Sequence, residues 1–79
     1  MELAKAKLNS WYSINKIEHN EETAVLESRL MAHGFIPGEK IMVKRMAPIF
    51  KDPILVQIGN SQLALTKSEA RLIHVNSLD

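Results

Sequence analysis

Apolar and polar side chains alternate over several short stretches of this chain, and a period of two is typical of strands. The alternation predicts strands at residues 40–46, 53–58, 62–65 and 70–75. Residues 59–61, with the sequence Gly-Asn-Ser, separate two of these stretches by the length of a tight hairpin turn. The second half of the chain is therefore predicted to be almost entirely β-structure.

The first half of the chain combines one strand with one well-marked helix. Residues 11–19 alternate imperfectly, which predicts a strand with an irregularity near Asn15 or Lys16. Asn20 precedes two glutamates and is placed to accept hydrogen bonds from the first free N–H groups of a helix. Gly34 supplies the left-handed residue with which many helices end. We therefore predict a helix between the first and second strands.

A short helical turn is predicted before the last strand, because Thr66 and Glu69 have the spacing of a capping box. The fold class is then mainly β. We predict a small closed barrel of five strands with one helix between strands 1 and 2, since closure hides the strand edges of a short chain. The residues expected to form its core are Ile14, Leu26, Leu30, Ile41, Val43, Ile54, Val56, Leu65 and Ile73.

Length and composition narrow the class of protein. The 79 residues are expected to form one domain, residues 1–79, whose core must stabilise it unaided because cysteine is absent. Residues 1–10 and 76–79 are expected to fray. The net charge of +1 lacks the positive excess of a domain that binds phosphate backbones. With neither a signal peptide nor an apolar span apparent, we expect a cytoplasmic location and membrane contact only through a partner.

Residues that could carry catalysis or hold a metal are scattered along the sequence. The serines lack a histidine and a carboxylate at motif spacing, and no glycine-rich phosphate loop is present, so we do not expect an enzyme. His19, His33 and His74 have none of the spacings that bring a ligand pair together on a helix or strand. We predict no cofactor and no dedicated metal site, and at most weak binding of a divalent ion such as iron or zinc.

Exposed apolar side chains are the positive signal for function. Ile49 and Phe50 follow Pro48 in a predicted loop, while Met42 and Met46 are predicted on the strand face opposite the core. Methionines beside an aromatic ring make an adaptable contact surface. We predict a partner-binding surface formed by Met42, Met46, Ile49 and Phe50, and such a surface also suits self-association. The alternative is that the methionines are buried under the helix or the first strand.

Short motifs follow one another in a recognisable order: Arg29-Leu30, Gly34-Phe35, Pro37-Gly38, Ala47-Pro48, Pro53, Ala64-Leu65, Glu69-Ala70, Ile73 and Val75. This ordered set resembles the family of ferrous iron transport protein A, FeoA. The resemblance covers residues 14–75, and the segment before Trp11 matches poorly. Members of that family often carry a glycine near the first strand, whereas here no glycine precedes Gly34.

The resemblance implies an SH3-like fold and a cytosolic accessory or regulatory role in ferrous iron uptake. In that role the protein contacts the FeoB transporter, which supplies the GTP chemistry and the membrane path. Two other functions stay open: a metal-sensing module for a divalent transition metal, and an RNA-binding small barrel. Nucleic acid is not expected, because Lys44, Arg45 and Lys51 form the one cation cluster and only Phe50 lies among them.

Overall fold

The computed structural model describes residues 1–48 and 52–78. No helix within these ranges is long and apolar enough to cross a membrane. A single 3-10 turn at Leu3–Lys5 comes first, and the remaining elements in chain order are β1 Trp11–Ile17, α1 Ala24–Ala32, β2 Lys40–Met46, β3 Ile54–Ile58, β4 Ser61–Leu65, α2 Lys67–Ala70 and β5 Ile73–Ser77.

All five strands lie in one antiparallel sheet, in the order β4-β3-β2-β1-β5. The mainly β class and the number of strands agree with the prediction. The predicted closure is wrong, because β4 and β5 are the two edges of the described sheet and do not pair with each other. The N-terminus lies along the edge of β5 instead: the Val75 N–H donates to the Met1 carbonyl at 2.7 Å, and Glu2 forms a bridge with His74.

Strand β1 contains the predicted irregularity, since its register with β5 shifts between Ile14 and Lys16. The turn before β2 is hydrogen-bonded to β1 at this irregularity. The Gly38 N–H donates to the Ile14 carbonyl at 2.8 Å, and the Ile14 N–H donates to the Glu39 carbonyl at 2.8 Å. Gly38 has a φ of +95°, a conformation that side chains disfavour, which explains the glycine after Pro37.

Helix α1 begins at Ala24, later than the pattern at Asn20 suggested. Asn20 and Thr23 instead close a turn ahead of the helix, each donating its N–H to the other's side-chain oxygen, at 2.8 and 2.9 Å. The predicted helix end is confirmed. Gly34 has a φ of +90°, and the N–H of buried Phe35 donates back to the Leu30 carbonyl at 3.0 Å.

Helix α2 has the predicted capping box. The Glu69 N–H donates to the Thr66 hydroxyl at 3.1 Å, and the Thr66 N–H donates to the Glu69 carboxylate at 2.9 Å. The other oxygen of this carboxylate accepts from Arg29 of α1 at 2.5 Å. Two helices that are distant in sequence are therefore joined by one glutamate.

Every predicted core residue is buried except Leu26, which is half-buried and packs against the core. The structure contradicts the expectation that residues 1–10 fray: Leu3 is fully buried and Ala6 nearly so, and the Lys7 N–H donates to the Tyr12 hydroxyl at 3.0 Å. At the other end, Asn76 and Ser77 belong to β5. The terminal segments pack because a small sheet has more apolar surface than its own strands can cover.

Candidate partner-binding surface

Met42 points away from the core, as the alternation of β2 predicts, yet only 9% of its surface is exposed. It pairs with Trp11 of β1 on one side and with Gln57 of β3 on the other. Side chains directly opposite one another in an antiparallel sheet are about 5 Å apart, so these neighbours cover most of the methionine. Little of Met42 is left for a partner to touch.

Met46 does not share a face with Met42, contrary to the sequence prediction. The register between β2 and β3 shifts between Val43 and Arg45. This bulge inserts one residue into β2, so that Met46 comes to lie opposite Ile54, whose side chain points into the core. Met46 is half-buried and packs against the core while it keeps part of its surface exposed.

Ile49 and Phe50 lie outside the described residues. The described residues on either side of them are close together, because the Ala47 N–H donates to the Pro53 carbonyl at 3.0 Å. Pro48 immediately before the segment is exposed, as is Asp52 after it.

An open cleft of about 240 Å³ lies beside this point. Apolar residues form most of its wall, and the ones that matter here are Met46, Pro48, Pro53, Leu55 and Ala64. Sequence reasoning identified Met46 but missed Leu55 and Ala64. Pro48 and Pro53, one at each end of the loop, are the sequence signal that could have indicated Leu55 and Ala64. The two prolines mark the place where β2 and β3 separate.

A second cleft, of about 220 Å³, also borders Met46. Ala4, Ala6, Ile54 and Lys67 contribute to its wall. The Met46 side chain therefore contributes to the wall of two depressions. An unbranched thioether is well suited to that position, because it can change rotamer when either depression is filled.

The histidines are not gathered into one site. His19 Nδ1 lies 2.6 Å from Glu27 Oε2, His74 Nε2 lies 2.9 Å from Glu18 Oε1, and His33 follows the last turn of α1. Within residues 1–48 and 52–78, no three His, Cys, Asp or Glu side chains converge on a position that could hold a metal ion.

The carboxyl group of Glu69 has a pKa that its surroundings lower. Burial acts to raise the pKa of its carboxyl, but the Thr66 N–H and the Arg29 guanidinium stabilise the charged form more strongly and hold the pKa below its ordinary value. Its partners are a cap and a neighbouring helix, so the role of Glu69 is to join α2 to α1.

Comparison with known proteins shows the family of this chain. The family model described as FeoA domain matches residues 1–77. The chain belongs to the FeoA family. The match includes the segment before Trp11, which the sequence motifs alone had left out. No curated protein matches the chain.

Solved FeoA structures have the same fold. The solution structure of iron(II) transport protein A from Clostridium thermocellum has a TM-score of 0.86 and 36% identity over 99% of this chain, which spans 46% of that protein. FeoA from Chlorobium tepidum gives 0.89 and 29%, covering 100% of this chain and 71% of the other. The zinc complex of Stenotrophomonas maltophilia FeoA gives 0.84 and 28%, covering 96% and 89%. That last protein is described as an SH3 domain protein, so the fold is SH3-like.

Proposed function

We propose that this FeoA-family chain is a non-enzymatic cytoplasmic accessory protein of ferrous iron uptake that acts by contact with the FeoB transporter. Its family and its similarity to an iron(II) transport protein support the iron role. The S. maltophilia relative is described as a candidate activating factor of ferrous iron transport, which supports an accessory role. The open apolar cleft beside Met46 is the observation that carries the proposal of direct contact.

The cleft suits one apolar side chain of a partner. Met46 can adjust to its shape, while Leu55 and Ala64 offer a fixed wall on the neighbouring strands. We include Ile49 and Phe50 in the proposed surface on sequence grounds, since the described ends of their loop border the cleft. In this proposal GTP hydrolysis and the membrane path belong entirely to the transporter.

Binding of the purified chain to the cytoplasmic part of FeoB tests the proposal directly. Ala64→Gln places a larger, polar group at the rim of the cleft without touching the core, since Ala64 is exposed. We expect it to weaken binding about tenfold, because an apolar contact is replaced by a buried amide. Surface-immobilised FeoB domain and biolayer interferometry give the dissociation constants.

Ser61→Gln is the matched control. Ser61 is also exposed on β4 but is absent from the wall of the cleft, so its variant should bind as the unmodified chain does. Equal binding by all three chains would remove the cleft from the proposal. If cells that lack the gene for this chain took up Fe(II) at the normal rate, the proposed accessory function would be wrong.

A further inference from the structure

The charges of this nearly neutral chain are segregated by structural element. The five strands contain Lys16, Lys40, Lys44 and Arg45 and not one aspartate or glutamate. Since the chain has ten Lys and Arg in all, six remain outside the strands, against nine acidic residues. Residues 18–27 alone hold four glutamates and no Lys or Arg.

Three of the strand cations share the outer sheet face, which we define as the side that carries Trp11, Met42 and Gln57. Lys40 pairs with Ser13, two residues along β1 from Trp11, and is therefore on the same side. Arg45 pairs with Leu55, and Lys16 with His74; the bulges in β2 and β1 bring both cations to this side. The charged outward positions of the described strands are thus all basic, and the carboxylates of Glu18 and Glu2 lie beside the face near His74.

Trp11 is the first residue of β1 and lies on this face. It is 40% exposed and pairs with Met42, diagonal to Lys40 across the same two strands. Diagonal neighbours in a sheet are about 7–8 Å apart, within reach of long side chains. An exposed indole flanked by cations can make apolar and charged contacts with one ligand at the same time.

The cations on the face are available to a ligand. Lys40 and Arg45 are exposed, and neither makes an ion pair with a described residue. Glu18 lies near the far end, where it meets His74, the cross-strand partner of Lys16. The positive charge that lies away from Glu18 is therefore that of Lys40 and Arg45, and the neutral Trp11 side chain lies on the adjacent strand.

We propose that the outer sheet face is a docking surface for an acidic, partly apolar polypeptide segment of a partner protein. The charge complementarity argues for a ligand with a few carboxylates, and Trp11 argues for an apolar side chain among them. The inference does not depend on the iron transport role, because Trp11 and Lys40 lie outside the cleft beside Met46, although Arg45 also contributes to the wall of that cleft.

A long nucleic acid fits this face less well. Among residues 1–48 and 52–78, the outward strand positions supply three cations and one aromatic ring, whereas single-stranded nucleic acids bind along grooves with repeated cations and stacking platforms. Glu18 at the end of the face would also repel a polyanion that extended past Lys16.

A second copy of this chain is a poorer occupant than a separate partner. The acidic segment 18–27 would have to dock head to tail, and such a contact leaves free ends unless a ring closes. Two of its four carboxylates are also engaged, Glu27 with His19 and Glu18 with His74.

Tryptophan fluorescence reports directly on this face, because Trp11 is the chain's single tryptophan. The probe is a short synthetic peptide of glutamates and leucines, titrated into the full chain. We expect a saturable change in Trp11 emission that weakens when salt is raised to about 0.15 M, where charges are screened beyond about 8 Å. The same peptide with lysine in place of glutamate should give no change.

Matched variants locate the binding. Lys40→Gln with Arg45→Gln should weaken peptide binding about tenfold, the effect of losing two exposed charge pairs. Lys5→Gln with Arg71→Gln removes the same charge from exposed positions outside the strands and should change binding less than about twofold. Circular dichroism verifies that each variant is folded.

Four results would overturn the inference. One is an emission change that is equal for the two peptides or insensitive to salt, and another is equal loss of binding in both double variants. A third is tighter binding of a short oligouridylate than of the acidic peptide, which would make the face a nucleic-acid site. The fourth is self-association on concentrating the chain that Lys40→Gln with Arg45→Gln abolishes, which would make the occupant a second copy.

Discussion

At the scale of single residues, Glu69 shows how one side chain can stabilise two elements. One carboxylate oxygen completes the capping box of α2 and the other accepts from Arg29 of α1. The two functions depend differently on charge. The cap requires only an acceptor oxygen, which glutamine also provides, whereas the contact with Arg29 requires a carboxylate for its full strength.

Substitutions at Glu69 and Thr66 should separate these two functions. Thr66→Ala should lower the free energy of unfolding by about 1 kcal/mol, because the Glu69 N–H loses its acceptor. Glu69→Gln should cost less than about 1 kcal/mol, since half of the Arg29 side chain is exposed to solvent. Urea denaturation at neutral pH measures both values.

The cost of Glu69→Gln should depend on pH. The pKa of Glu69 is lowered in the folded state, so its charge stabilises the fold above the unfolded value of about 4.3 and stops doing so as pH falls through the folded pKa. The difference between the unmodified chain and Glu69→Gln should therefore narrow in acid, while the cost of Thr66→Ala should change less. A difference that stayed constant down to pH values well below 4 would show that the charge is not involved.

At the scale of elements, the 3-10 turn Leu3–Lys5 is part of the core although it lies in a segment expected to fray. Leu3 is fully buried, and the turn contacts both α2 and β5. Asn9 has a φ of +60°, and this reversal lets residues 1–8 fold back over the end of β1. A short amphipathic turn gives little periodic signal in a sequence, which explains why this packing was missed.

Leu3→Ala measures how much this turn contributes. We expect a loss of about 2–5 kcal/mol in the free energy of unfolding, from lost burial and the cavity that remains. Leu8→Ala is the control for the same chemical change, because Leu8 is 47% exposed and its variant should stay within about 0.5 kcal/mol of the unmodified chain. If the two variants were equally stable by urea denaturation, the turn would not be part of the cooperative core.

At the scale of the whole molecule, the predictable features are those fixed by local chemistry. Gly34 ends a helix, Thr66 and Glu69 cap another, and Val43 and Val56 alternate into the core, each from a pattern that spans only a few residues. The bulge in β2 was not predictable in this way. The consecutive polar residues Lys44 and Arg45 interrupt the alternation of residues 40–46, but only the pairing with β3 shows that one residue is extra there.

That bulge determines the surface of the molecule. It turns Met46 towards the core and Arg45 towards the outer face, so the predicted methionine surface does not form, and a cleft lined by both Met46 and Arg45 lies at the end of the basic face. Ile49 and Phe50 stay a prediction from sequence. Side-chain alternation therefore predicted that residues 40–46 belong to a strand, whereas the strand register determined which face of the sheet each side chain takes.

A sheet whose charged strand positions are all cationic should be slightly less stable than one with mixed charges, because the cations repel one another along the face at low salt even though none lies directly opposite another. Lys40→Gln with Arg45→Gln should therefore raise the melting temperature by about 2 °C at low salt, and the gain should shrink as salt screens the repulsion. Lys5→Gln with Arg71→Gln removes the same charge where acidic residues are in excess, so it should give no such gain. Calorimetry at low and high salt measures the melting temperatures of both double variants. A lower melting temperature for Lys40→Gln with Arg45→Gln at every salt concentration would mean that the two side chains stabilise the fold by packing, and that their charge carries no cost in stability.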